Sequence, residues 1–270
     1  NAVETIGSYA FRSSAITTIT LPSTLISLGE YAFSDCKQLT EITIPGNLSS
    51  VAKNTFYKCT NLRKLNIEEG VNSIGANAFE GCSKLTSVSI AEGLISIGSY
   101  AFYGCGAMTE ISLPSSLISI GEWAFVGCSS LSKIILPNSL QTIGTYAFYS
   151  SGLTHIEIPN SVTDIQEYAF RGCDNLTSVI LSSSLRSIKT GVFAICPVLS
   201  SVTIPEGMSS HALASYLKSV GLIQDDRKFD SYLIRQGLAR VIRTGTFEVP
   251  TSANYDTLAE MLTYTDQRER

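Results

Sequence analysis

Apolar and polar positions alternate along the first two hundred residues in a pattern that keeps its phase from unit to unit. The stretch "ISIGEWAFVGCSSLSKIILPNSL", residues 118–140, shows one full period. The phenylalanines Phe11, Phe33, Phe56, Phe79, Phe102, Phe125, Phe148, Phe170 and Phe193 recur at spacings of 22 or 23 residues, which makes nine units. A fixed period in this range belongs to a solenoid, in which each coil buries its apolar edge only against another copy. Within a unit, Ile134 and Leu136 alternate with Lys133 and Ile135, the period of a short strand with one buried face. The equivalent pairs are Ile42/Ile44, Val88/Ile90, Ile111/Leu113 and Ile156/Ile158. A proline often follows (Pro22, Pro45, Pro114, Pro137, Pro159, Pro205). It lacks an N–H, so it ends the pairing and turns the chain outward. Leu140, Ile143, the Ala124-Phe125 pair and Leu131 complete the buried set. Stacked at the usual strand spacing of about 4.8 Å, nine coils span roughly 40 Å.

The phase ends after Met208, and His211 falls where an isoleucine belongs. Charge density changes at the same place. Residues 206–270 hold 17 of the 42 charged residues, about one in four, against one in eight before them. The pattern predicts a boundary near Pro205, with a solenoid over 1–205 and a small α+β module over 206–270. In the module, Ser209 or Ser210 caps a helix carrying Leu213, Leu217 and Val220, which Gly221 ends. Asp225 or Asp226 starts a second helix with Phe229, Tyr232 and Leu233 on its apolar side. The stretch "GTFEVP" (245–250) reads as a strand burying Phe247 and Val249. "TSANYDTLAEML" reads as a third helix with Tyr255, Leu258 and Leu262, and the closing "DQRER" as a frayed end.

Composition removes some functions. A net charge of −4 gives no basic face for nucleic acid. No apolar run reaches the roughly 18 residues of a membrane span. Asn1 opens in mid-repeat, so the natural start, with any signal sequence, is expected to precede it.

Seven cysteines invite a disulfide or metal reading, but their positions argue for packing. Cys36, Cys59, Cys82, Cys105, Cys128, Cys173 and Cys196 each lie three residues after the repeat phenylalanine, and Ser14 and Ser151 fill that slot elsewhere. Stacked side chains at one slot point the same way, a poor geometry for a bridge. With two histidines in the chain, a zinc site of His/Cys type is not expected. No metal or cofactor is expected.

Two stripes could meet a partner. On the outward side of the strands most residues are short and hydroxylated, but Lys133, Ile135, His155, Glu157 and Ile180 gather on coils six to eight. An exposed apolar pair among charges is a candidate binding patch, while β-branched residues on a strand surface are the ordinary alternative. Two positions before the phenylalanine runs an aromatic stripe, with Tyr100, Trp123, Tyr146 and Tyr168 consecutive and Tyr9 and Tyr31 ahead of them. Such rings can grip sugars or proteins, or pack half-buried against the core. His155 and Glu157 could form an acid–base pair, but nothing supplies a nucleophile or a third group. No catalytic residue is expected.

The spacing L-x-x-I-x-L from Leu131 to Leu136 is that of a leucine-rich repeat. The wider pattern, I-G-x-Y-A-F-x-x-C-x-x-L-x-x-I-x-I-P over residues 1–208, resembles the BspA-like leucine-rich repeat family of bacterial surface proteins. That resemblance implies a right-handed curved solenoid, mostly β, with one short parallel strand per 23-residue coil. It also implies a secreted or surface-held protein that binds a protein or glycan ligand. The commoner repeat places asparagine eight positions after the first leucine. Only Asn47 keeps it here, with Ser116, Ser139, Ser161, Ser184 and glycines in the other coils. Residues 204–263 resemble the LysM-like module of the YceG-like endolytic murein transglycosylases. The matching residues are Ile204-Pro205-Glu206-Gly207, Leu213, Leu217, Gly221-Leu222-Ile223 and Gly245-Thr246-Phe247 through Pro250. No stretch corresponding to that family's catalytic domain follows within the 270 residues, so the resemblance implies at most a module facing peptidoglycan. The alternatives are an accessory or remnant piece of a peptidoglycan-remodelling protein, a structural spacer, and, for 206–270, a cap on the last coil.

Overall fold

The computed structural model describes residues 3–248, 250 and 254–263. The expected solenoid is present, and its coils have three sides. One carries the long strands Glu41–Ile44, Lys64–Ile67, Ser87–Ile90, Glu110–Ser112, Lys133–Ile135, His155–Glu157, Ser178–Ile180 and Ser201–Ile204. Alternate residues point inward and outward, as period-2 alternation requires, and the outward ones are polar apart from Ile135 and Ile180. Prolines close this side: the Pro45, Pro114, Pro137 and Pro159 carbonyls accept the N–H three residues on, at 2.9–3.1 Å.

The expected strand of each coil is joined by another. A second ladder of two-residue strands runs from Ser50–Val51 to Asp164–Ile165, all parallel, with Thr5–Ile6 and Ser27–Leu28 paired separately. Ile143 and its equivalents are its buried members. A glycine follows most of these strands, Ala52 and Gln166 standing after Ser50–Val51 and Asp164–Ile165. At Gly29, Gly75, Gly98, Gly121 and Gly144 the preceding coil comes close. A Cβ on Gly121 would lie 2.6 Å from the Ser99 nitrogen.

The third side is a run of tight turns. Tyr100 and Gly104 are left-handed (φ 59° and 70°), and the N–H groups of Tyr100, Phe102 and Gly104 donate to the Glu122, Ala124 and Val126 carbonyls of the next coil, each at 2.8 Å. In the short ladder the direction is opposite: Gly121 N–H donates back to the Ile97 carbonyl at 2.8 Å. Left-handed backbone at a non-glycine costs about 1–2 kcal/mol, and these inter-coil bonds hold it in place.

Inside, Phe33 through Phe193 are at most 1% exposed. From Phe11 to Phe193 neighbouring rings stack at centroid distances of 5.1–5.5 Å and within 10° of parallel. Each such pair adds about 0.5–1.5 kcal/mol beyond the burial itself.

The last segment continues this core. α1 (Ser210–Ser219) is capped by Ser209, whose hydroxyl accepts from Ala212 N–H, and α2 (Asp226–Arg235) by Asp225, which accepts from Lys228 N–H. Gly221, at φ 81°, follows the end of α1. Tyr216 of α1 closes the phenylalanine stack edge-to-face on Phe193 (5.9 Å, 66°). Strand Gly245–Glu248 pairs antiparallel with Ser201–Ile204 and so covers the edge of the last long strand. It is shorter than the expected 245–250, with Phe247 half-buried; Val249 lies outside the described residues. α3 (Tyr255–Leu262) starts at the Asn254 cap, and residues 251–253 and "DQRER" also lie outside the described residues. Among the described residues no helix is long and apolar enough to cross a membrane.

Candidate functional site

The cysteines sit at the inner edge of the turn side. Each thiol donates to the carbonyl of the preceding coil's phenylalanine: Cys36 to Phe11 (3.0 Å), Cys59 to Phe33 (3.1 Å), and Cys82, Cys105, Cys128, Cys173 and Cys196 likewise at 3.3–3.4 Å. Ser151, in the same slot, bonds the Cys173 sulfur at 3.3 Å. All seven are unbridged. Burial pushes every one of these thiols up, Cys82 and Cys173 to about 12 and the half-buried Cys196 to about 11. The reactive form is the thiolate, so these are packing groups with a hydrogen-bond duty. Among the described residues no group of three or more His, Cys, Asp or Glu side chains is arranged to hold a metal.

The aromatic stripe is a continuous stack. Tyr100, Trp123, Tyr146 and Tyr168 follow one another at 5.8, 4.4 and 4.9 Å, near parallel, with Tyr103 and Tyr149 tilted against them. The ring faces meet each other and the edges meet solvent. At one end Arg171 lies over Tyr168 (5.3 Å), whose ring also covers Gly191, the stripe position of the ninth coil. At the other end the stripe position is Asn77.

The long-strand face is where the molecule departs from regularity. Its ladder is interrupted twice, between Ser87–Ile90 and Glu110–Ser112 and between Lys133–Ile135 and His155–Glu157. The second interruption has a sequence cause. Seven coils keep two residues between the cysteine slot and the next leucine or methionine. Ala15 alone separates Ser14 from Ile16 in the first coil, and Gly152 alone separates Ser151 from Leu153 in the seventh. The shortened turn presses Gly152 onto the preceding coil, where a Cβ would lie 2.2 Å from the Ser129 carbonyl oxygen. Thr154 N–H still reaches the Ser132 carbonyl (3.2 Å), but the strand beyond it pairs only forward, with Ser178–Ile180.

A groove of about 780 Å³ lies at this break, lined by Lys133, Ile135, Pro137, His155, Glu157 and Pro159 among others. Ile135 is 69% exposed. In register, His155 sits beside Ser178, to which its Nδ1 bonds at 2.7 Å, and Glu157 sits beside the half-buried Ile180. The structure therefore brings Lys133, Ile135, His155, Glu157 and Ile180 together. It does not couple His155 to Glu157, since the imidazole bonds Ser178 instead. The depression over coils one to four of the same face, about 530 Å³, is lined by Thr20, Thr43, Lys64, Asn66 and Ser89 among others. Sequence reasoning found the patch from residue type but missed the break; the missing residue before Leu153 was the available signal.

At the asparagine position the side chains bond differently, and the buried Ser161 hydroxyl has no partner among the described residues. Ser116 donates to the Leu94 carbonyl (2.8 Å) and Ser139 to Leu117 (2.6 Å), while Asn47 donates to Ser23.

No curated protein matches this chain. Among solved structures, a leucine-rich repeat protein of Bacteroides ovatus is 31% identical over 74% of this chain and 58% of its own length, with a TM-score of 0.58. A leucine-rich repeat protein of Eubacterium ventriosum is 21% identical over 75% of this chain and 64% of its own, with a TM-score of 0.54, a likeness of fold alone. The leucine rich repeat protein of T. pallidum is 30% identical over 62% of this chain and 70% of its own, with a TM-score of 0.46. None of these matches is to a murein transglycosylase, so the resemblance of residues 204–263 to that module finds no support in them. The family described as "BspA type Leucine rich repeat region" matches residues 4–109 and 95–219. With its solenoid so matched, the chain belongs to the BspA type leucine-rich repeat family.

Proposed function

We propose that this chain is a secreted or cell-surface binding protein with no catalytic role, and that its long-strand face holds a protein partner through Lys133, Ile135, His155, Glu157 and Ile180. The observation that carries this reading is Ile135, 69% exposed at the break in the ladder and flanked by charged groups. An apolar group held in water on a rigid strand is stabilising only when something covers it. Family membership supports the extracellular setting, as does a thiol ladder buried against oxidation. Panning a phage-displayed random peptide library on the immobilised chain tests the face. Enrichment should disappear for Ile135→Asp and persist for Thr43→Asp. Equal enrichment on both variants would count against the reading.

Wall association through residues 206–270 is a second reading. A cleft of about 610 Å³ between the ninth coil and α1 supports it, lined by Tyr168, Lys189, Ser215, Lys218 and Asp226 among others, with ring and hydroxyl groups of the kind glycans meet. Co-sedimentation of the full chain with purified peptidoglycan at rising salt tests it. Loss of pelleting in a Tyr168→Ala, Lys218→Ala double variant is the expected result, and absence of pelleting leaves 206–270 as a cap.

A further inference from the structure

The charges of the groove are arranged with polarity. Lys133 and His155 stand at the start of their strands, whereas Ile135, Glu157 and Ile180 form a row across three successive coils at the other end. Glu157 is the middle member of that row, paired in register with Ile180, whereas Ile135 stands one coil before it, across the break in the ladder. Among the described residues its carboxylate has neither a hydrogen bond nor an ion pair. A methylene chain lying over Glu157 would have isoleucine on either side. Resting on the protein-binding reading above, we propose that this row is a receptor for a lysine or arginine side chain on an extended segment of the partner. Ile135 and Ile180 flank the aliphatic stem, and Glu157 receives the cationic head.

The chemistry selects this occupant over others. An aliphatic side chain would cover the isoleucines but would desolvate Glu157 without a partner, which is unfavourable. An acidic side chain would meet Glu157 directly and be repelled. A basic side chain satisfies both surfaces, since lysine and arginine bury their stems along apolar surface while keeping the head polar. Lys133 strengthens the preference by orienting the partner, because a cation is repelled from its end of the groove and drawn toward Glu157. Unpaired edges on the strands around the break offer the partner main chain a place to bond, as in strand addition.

The experiment uses the whole chain with isoleucine δ1 methyls labelled and the peptide acetyl-Thr-Val-Lys-Val-Thr-amide as probe, with norleucine and glutamate in the lysine position as comparisons. Saturable methyl shifts are expected at Ile135 and Ile180. The norleucine and glutamate peptides should bind at least fivefold more weakly, and Glu157→Gln should weaken the lysine peptide by a similar factor. If norleucine binds at these methyls as tightly as lysine, the cation receptor is overturned while the binding face stands. Shifts spread over other isoleucines, or none at millimolar lysine peptide, also overturn it. The panning result then judges the face independently.

Discussion

At the residue scale, the repeat uses side chains that do two things at once. Cysteine in the turn slot is small enough for the core, and its thiol also satisfies the phenylalanine carbonyl of the coil before it. The position was legible as packing from its phase with Phe102 and its equivalents, but the hydrogen bond was not, because nothing in a periodic pattern shows where a carbonyl points. Alkylation follows from this geometry. Cys196 is the one of the seven thiols that is only half-buried, and burial raises it above its ordinary value. Iodoacetamide mapped by mass spectrometry should therefore modify Cys196 first and slowly, and Cys82 and Cys105 only on unfolding. Rapid labelling of Cys105 in the folded chain would refute the ladder. Gly152 is a second residue whose identity is forced by distance. Gly152→Ala places a methyl against the Ser129 carbonyl and should cost about 2–3 kcal/mol of stability in urea unfolding. Gly7→Ala, with open space around it, should change little.

At the element scale, the long strands, the prolines that end them and the capped helices were all readable, because each has a local cause in alternation, a missing N–H or an accepting side chain. The second ladder was not. Two residues such as Ser119-Ile120 are too few to show a period, and they are strands only because Ser96–Ile97 and Thr142–Ile143 lie on either side. A cap on the last coil was among the readings of residues 206–270, but its pairing was not legible, since the contact between residues 201–204 and 245–248 crosses forty residues of sequence. Tyr216 tests how the cap is held. Its ring closes the phenylalanine stack, yet its hydroxyl is buried without a partner. Tyr216→Phe should keep the ring and remove the stranded donor, raising stability by about 1 kcal/mol, while Tyr216→Ala should lower it by about 3–5 kcal/mol. The cap also carries an acid-sensitive contact. The hydrogen bond from Lys218 holds the Asp226 carboxyl below its ordinary value. A depressed carboxylate stabilises fully above its unfolded value and loses that contribution as pH falls through its folded one. The stability difference between the parent chain and Asp226→Asn, a few tenths of a kcal/mol for a part-exposed pair, should be present at pH 7 and be lost in acid below the ordinary aspartate range, at about pH 2. Urea midpoints at the two pH values check it.

At the scale of the molecule, regularity makes the scaffold and one irregularity makes the candidate site. A solenoid's stability is close to a sum over coils and their nearest-neighbour interfaces, so a weak interface costs little elsewhere and can be kept where a surface is wanted. The interface between coils six and seven is such a place. The turn at Gly152 is one residue short, His155–Glu157 falls out of pairing with Lys133–Ile135, and the groove lies between them. The sequence showed this as one of two spacings of 22 among 23s, but a spacing does not say whether the slack is taken up in a loop or in the sheet. Restoring the residue tests the connection. Inserting serine after Gly152 should bring the two strands into register, add about one backbone hydrogen bond worth 0.5–1.5 kcal/mol, and shrink the groove. Hydrogen exchange reads the change directly. In the parent chain the Glu157 amide has no partner on the preceding strand and should exchange fast, whereas the Ile180 amide, inside the paired segment, should be slow. In the insertion variant both should be slow, and peptide binding at Ile135 should be lost although every side chain of the patch is unchanged. If the variant pairs its strands and still binds, recognition resides in the side chains alone and the break is incidental to it.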